Sequence, residues 1–227
     1  GLTNADLADW ADIDRGKLSQ IRLLRQYPAI LEWLRLKAAL STDLLRDWRE
    51  IITEASGPEK ELSANAFMVP LNLFTGFDFS AASEHCDAIS PKFYTMHWSV
   101  MVEFWGAVLL EHNTSLDEML VTRALANLFD LGDDITATKM SDYGYPEPHE
   151  AHPIPNEPQV RKIKQVLNEV QDRTQITALM HGYGPTKDFA RRFQIVGDSD
   201  AHGVWINRYG YLGDDKLDTI RDIWKEA

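Results

Sequence analysis

Four short apolar runs, set apart by stretches with helical periodicity, constrain this chain's fold more than any other feature. They span 66–74, 88–97, 175–183 and 203–212. Each is rich in aromatic, β-branched or long apolar side chains, as buried strands are. Apolar residues recur every three or four positions in the segments between and after them. These helical segments are 99–112, 116–130, 159–172, 186–196 and 214–226, with only a short turn at 79–86 linking the first two runs. Strands that alternate with helices specify parallel βαβ units, so the expected class is α/β with one parallel sheet. Pro70 and Pro91 weaken the first two runs as central strands, because proline has no N–H to give the ladder.

Residues 1–57 read as a helical lead-in. Asn4 and Asp14 suit the caps of short helices within 4–26. A longer helix is expected over 28–55, where Ile30, Leu31, Leu34, Leu36, Ala39, Leu44, Leu45, Trp48, Ile51 and Ile52 share a helical period. Pro28 suits its first turn, and Ser56-Gly57-Pro58 ends it. The stretch 141–158 holds five prolines in 18 residues, too many for a regular element. It reads as a loop crossing the face of a single domain whose four βα units occupy 66–227.

Charge and composition remove some functions. The formal net charge is −12, with no basic block, so no nucleic-acid partner is expected. No apolar run reaches the roughly 18–20 residues that span a bilayer, so no membrane span is expected. Cys86 is the single cysteine, which rules out an internal disulfide. The opening Gly1-Leu2-Thr3-Asn4 lacks a methionine and a basic start. The chain therefore reads as a processed product or a fragment, and its compartment stays open.

The chemistry collects at the ends of the runs. Strict alternation puts Lys92, Tyr94 and Met96 on one face of the second run and Phe93, Thr95 and His97 on the other. A lysine inside an apolar strand needs a partner. Lys92 would bind an anion, hold a sugar hydroxyl or form a Schiff base, or else pair with Asp87. Asn72, among Leu71, Leu73 and Phe74, would read substrate hydroxyls or tie strand ends together. His97 and His181 sit where a general base would, or serve as structural donors. Trp98 and Tyr183 would stack on a ring or pack. Asn207 shares a face with Trp205 and Tyr209, while Arg208 points away and reads as half of a structural salt bridge. His149, Glu150 and His152 lack the spacing of a helical metal motif, and no metal site is assigned. Glu103, Asp142 and Glu147 are the carboxylates best placed to reach the site, although each reads as solvated. No nucleotide-binding fingerprint occurs, and no cofactor is inferred.

The runs 90–97 and 203–212 resemble strands six and eight of uncharacterised glycoside-hydrolase-like barrels. Residues 70–74 would then be strand five and the third run strand seven. The resemblance covers roughly 28–227 and implies the C-terminal half of a (β/α)8 barrel acting on a carbohydrate. On this reading the candidate catalytic residues are Lys92, His97 and His181. The substrate would meet Asn72, Tyr94, Trp98, Tyr183, Asn207 and Tyr209. Barrel glycosidases commonly place an acid after strand four and a nucleophilic Glu after strand seven. Here strand four is not in the sequence, and strand seven ends His181-Gly182-Tyr183-Gly184-Pro185, so the two-carboxylate mechanism is not assigned. The alternatives are a non-catalytic saccharide-binding barrel and a lysine-dependent lyase or aldolase. Besides a carbohydrate or other small molecule, the expected partner is the missing half-barrel or a second copy, because four open parallel strands leave unpaired edges.

Overall fold

Alternating helices and parallel strands are present in the computed structural model, which describes residues 25–133 and 136–224. The expected caps Asn4 and Asp14 lie outside the described residues. Helix α1, Pro28–Ser56, is followed by β1 (Ser63–Phe67), the short helices α2 (Leu71–Thr75) and α3 (Phe79–Ala82), and β2 (Ala88–Phe93). Helices α4 (Thr95–His112) and α5 (Glu118–Leu128), a 3-10 turn at Met140–Tyr143 and α6 (Asn156–Val170) lead to β3 (Gln175–His181). Then come α7 (Thr186–Gly197), β4 (Gly203–Asn207), a 3-10 turn at Tyr209–Tyr211 and α8 (Asp214–Trp224). All three strand pairings are parallel, in the order β1-β2-β3-β4. The sheet is open and does not close on itself.

Register sorts the sheet into two unlike faces. One carries Ala64, Ala66, Ile89, Phe93, Ile176, Ala178, Met180, Val204 and Ile206, packed against helix residues such as Val102, Ile163, Val166, Phe189 and Phe193. The other carries Ser63, Asn65, Ser90, Lys92, Thr177, Leu179, His181, Trp205 and Asn207. Period-two alternation separates the two sets. The apolar set supplies most of the folding free energy, at about 25 cal/mol per Å² removed from water.

All four runs are strands over only part of their length, the third falling short by just two residues, at His181. The first strand starts earlier and ends at Phe67, since Pro70 turns the chain into α2. Asn72 is therefore a helix residue and not a strand end. Gly76 closes α2 with φ 83°, a left-handed position where a Cβ would meet the Lys37 backbone. The second run is a strand only to Phe93. Tyr94 caps α4, so His97 and Trp98 belong to the first turn of a helix. Pro91 nevertheless sits in a central strand. It keeps the β1 pairing through Ala66, while pairing with β3 lapses at Ser90 and Pro91, as a residue without an N–H requires. The fourth run ends as a strand at Asn207. Arg208 takes φ 68°, and Tyr209 begins a turn.

Candidate functional site

The C-terminal ends of the strands meet the loop that follows the 3-10 turn at Met140–Tyr143. The Pro-rich segment expected as a loop over 141–158 is irregular only between two elements: its first residues belong to the 3-10 turn and its last three, from Asn156, to α6. Tyr183 Oη donates to the Pro146 carbonyl at 2.8 Å, and Thr95 Oγ1 and His152 Nδ1 lie 2.6 Å apart. His152 is buried, and its Nε2 has no partner. At Gly184, with φ 93°, a Cβ would lie 3.0 Å from that nitrogen, so only glycine lets the two segments approach so closely.

A belt of rings runs along this edge. Tyr94 lies edge-on to His97 and to His181, with ring centres 5.3 Å apart in each pair. Tyr145 from the loop stands 6.0 Å from His97 and 5.3 Å from Tyr183. Tyr211 stands 5.7 Å from His181 and 5.5 Å from Tyr183. Asn207 Nδ2 donates to Tyr94 Oη at 2.7 Å, joining the end of β4 to the end of β2 across β3. One row further in, Phe67, Lys92, Leu179 and Trp205 lie side by side. A groove of about 450 Å³ runs along this face, lined in part by Asn65, Ser90, Tyr94, Leu179, Trp205 and Asn207.

The imidazoles are held neutral. Burial pulls His181 down to about 4, assisted by the charges of His97, Arg208, Arg192 and Lys216. Burial likewise brings His152 to about 3, with Arg192 next in effect. His97 is lowered by burial and then by Lys92. His181 Nδ1 accepts the Tyr183 N–H at 3.0 Å, which leaves the ring proton on Nε2. Burial raises Tyr94, against the opposing effects of the Asn207 hydrogen bond and the Arg208 charge.

Cations on the flanking helices brace the His181–Tyr183 turn. Arg192 of α7 donates to the His181 and Tyr183 carbonyls at 3.3 and 2.7 Å and to Asp188 at 2.7 Å. Burial alone would raise the Asp188 carboxyl. The Arg192 charge and hydrogen bonds from Arg191 and Arg192 outweigh it and leave the group below its ordinary value. Lys216 of α8 donates to the carbonyls of Gly182 and Gly184 at 2.7 Å and of Tyr211 at 3.0 Å. A hydrophobicity pattern cannot reveal these positioning roles, because the partners are backbone carbonyls.

The candidates singled out from the sequence divide. Lys92, Tyr94, His97, His181, Tyr183 and Asn207 come together at the strand ends. Trp98 does not join them. It is buried against Phe93, and its indole N–H donates to the Lys92 carbonyl at 3.2 Å. Asn72 is buried and donates to Phe77 O at 2.9 Å, a latch on the α2 turn. Tyr209 is 76% exposed and is absent from the ring pairs of the belt, which Tyr211 joins in its place. Asp87 does not pair with Lys92; it binds Arg49 and the Leu62 N–H. Arg208 forms no ion pair among the described residues, contrary to its reading as a structural salt bridge. Asp142 is occupied by the backbone N–H groups of Thr138 and Lys139. Among the described residues no group of three or more His, Cys, Asp or Glu could hold a metal ion, and no helix is long and apolar enough to cross a membrane.

Sequence reasoning missed Tyr145 and Tyr211, weighed His152 only as a metal ligand, and used Trp205 only to describe a strand face. Tyr145 and His152 sit in an irregular loop, and Tyr211 enters only because Arg208 breaks the strand. Comparison of the chain with family models, curated proteins and solved structures yields no match.

Proposed function

We propose that the open face and its strand ends form part of the mouth of a (β/α)8-type barrel that binds a carbohydrate. Trp205 carries this reading. It is a large ring on the sheet's polar face, 63% exposed, beside the hydrogen-bonded Asn207–Tyr94 pair. An exposed indole face with amide and hydroxyl groups at its border suits a sugar ring, which is apolar on its faces and polar at its rim. The polar outward row of Ser63, Asn65 and Thr177 supports a second half-barrel, from elsewhere in the protein or from another copy, lying opposite this sheet. A parallel sheet ordinarily has both faces covered.

Among the described residues no carboxylate makes a hydrogen bond or ion pair with the ring belt, so the acids of a glycosidase pair would come from the long loops or from outside these four strands. This half does contribute neutral imidazoles. Both rings are neutral near neutral pH: His181 offers its Nε2–H as a hydrogen-bond donor, because Nδ1 already accepts the Tyr183 N–H, and His97 is in the state a general base requires. The segment His181-Gly182-Tyr183-Gly184-Pro185 after β3 carries no carboxylate, which favours the second reading, a saccharide-binding barrel without turnover. The lyase or aldolase reading has less behind it, because the Lys92 ammonium sits 4.5 Å over the Phe67 ring with no carbonyl-binding device beside it.

A glycan screen on the intact protein, reading binding by calorimetry and hydrolysis by product release, tests this. Binding that weakens at least tenfold in Trp205→Ala is expected. Binding to no glycan would contradict the reading. Turnover lost in His181→Asn would favour a hydrolase over a binding module.

A further inference from the structure

Two cations flank the ring belt, and neither has an acidic partner among the described residues. Lys92 lies on the open face at the inner side of His97, with its ammonium over Phe67. Arg208 lies at the other side, just beyond the Asn207–Tyr94 hydrogen bond, and its left-handed backbone turns it out of the strand. Among the described residues neither side chain makes a hydrogen bond or ion pair with Asp or Glu. The other basic residues around the site are engaged: Arg192 and Arg191 by Asp188, Lys216 by three carbonyls. The charges also reach the belt, with Lys92 lowering His97 and Arg208 lowering His181. The nearby carboxylates lie on the loop side. Glu103 stands near Gly144, and Glu147 and Glu150 act on Tyr183. In a chain of net charge −12, this edge is a local concentration of free positive charge. An unpaired ammonium half-withdrawn from water is costly unless a ligand completes it.

We propose that the strand-end site takes an acidic sugar, whose carboxylate or sulfate lies between Lys92 and Arg208 while its ring stacks on Trp205. This rests on the carbohydrate reading and narrows its substrate class. The guanidinium fork of Arg208 matches a planar carboxylate or a sulfate edge. Lys92 supplies a point charge from the opposite side. The Thr95 and Met96 N–H groups open α4 beside Tyr94, and a helix N-terminus adds to the attraction for an anion. Asn207, Tyr94 and His181 Nε2 remain for neutral hydroxyls.

Calorimetry on the intact protein compares three oligosaccharides of equal length: a uronate, a sulfated glycan and a neutral one. Free glucuronate and inorganic sulfate are run alongside. Affinity at least tenfold higher for an acidic than for the neutral oligosaccharide is expected, with the two acidic glycans identifying the anion. Lys92→Met and Arg208→Gln should each reduce that preference and the double variant should abolish it. Lys92→Arg should retain it. Equal affinity for acidic and neutral glycans would overturn the inference and leave the carbohydrate reading standing. Binding of glucuronate or sulfate that depends on Lys92 and Arg208, without binding of any oligosaccharide, would support the anion site and overturn the carbohydrate reading. No binding of any of these probes would overturn both.

Discussion

The two faces of the sheet follow one backbone and one register, yet they are held by different physics. The covered face is Ala64, Ile89, Phe93, Ile176, Ala178 and Met180, fully desolvated beneath helices. The open face is Asn65, Lys92, Thr177, Trp205 and Asn207, kept polar or ring-bearing at the same strand positions. A face with no binding role tends toward scattered charged residues. This one instead aligns an indole, an amide, a phenol and two imidazoles toward one end. Burial fixes the frame, and on the proposed reading the uncovered side carries the chemistry. The contrast also separates mutations that should unfold the chain from mutations that should blind it.

The largest effect should come where the two sides meet, at the buried pair beneath the His181 turn. Arg192→Met leaves Asp188 buried without its main partner and frees two carbonyls, so a loss of about 3–5 kcal/mol is expected in urea unfolding. Stability unchanged within about 1 kcal/mol would show that the turn does not depend on this brace. Next come the covered-face truncations. Met180→Ala or Phe189→Ala should cost about 2–5 kcal/mol through lost burial and a residual cavity. Asn65→Ala on the open face should stay within about 0.5 kcal/mol. Similar losses for both faces would abolish the distinction.

Acid should act through the histidines. The folded chain keeps His181 unprotonated down to about 4, and His152 down to about 3, from an ordinary value of 6.5. Between those limits the unfolded chain binds more protons than the folded one. Stability should therefore fall as pH drops from about 6.5 toward 4, by a few kcal/mol in total. The Asp188 carboxyl, lowered in the fold, adds its loss mainly below that window. Unfolding curves at stepped pH, with His152→Asn as control, should show a shallower fall in the variant. An unchanged slope would place the acid response elsewhere. The smallest effect of breaking a named contact belongs to Asn207→Ala. It removes the hydrogen bond to Tyr94 at the edge of the site, costing about 1 kcal/mol while weakening ligand binding several-fold.

The class of the fold was legible because periodicity is a local property. The helices at 28–55, 186–196 and 214–226 fell within a few residues of α1, α7 and α8. Two kinds of boundary were not. Ser63 and Asn65 disguised β1, since a strand with one polar face has a weak apolar signal. Tyr94 and Arg208 ended strands that looked longer, because a helix start at Thr95 and a left-handed residue leave apolar content unchanged. The site was half legible for the same reason. Lys92, His181 and Asn207 lie in regular strands; alternation placed Lys92 and Asn207, and the end of an apolar run placed His181. Tyr145, His152 and Tyr211 arrive through loop geometry, which no period encodes. Trp98 and Asn72 looked available only because helix residues were read as strand ends.

The central claim is that ligand binds on the open face and not in the apolar groove of about 410 Å³ between α2, α4 and α5, where Phe74, Phe104 and Trp105 are uncovered. Hydroxyl-radical footprinting of the intact protein with and without a bound oligosaccharide distinguishes them directly. Protection of Trp205, Tyr211 and Tyr145, with Phe104 and Trp105 unchanged, is the expected result. Protection confined to Phe104 and Trp105, with Trp205 as reactive as before, would contradict it.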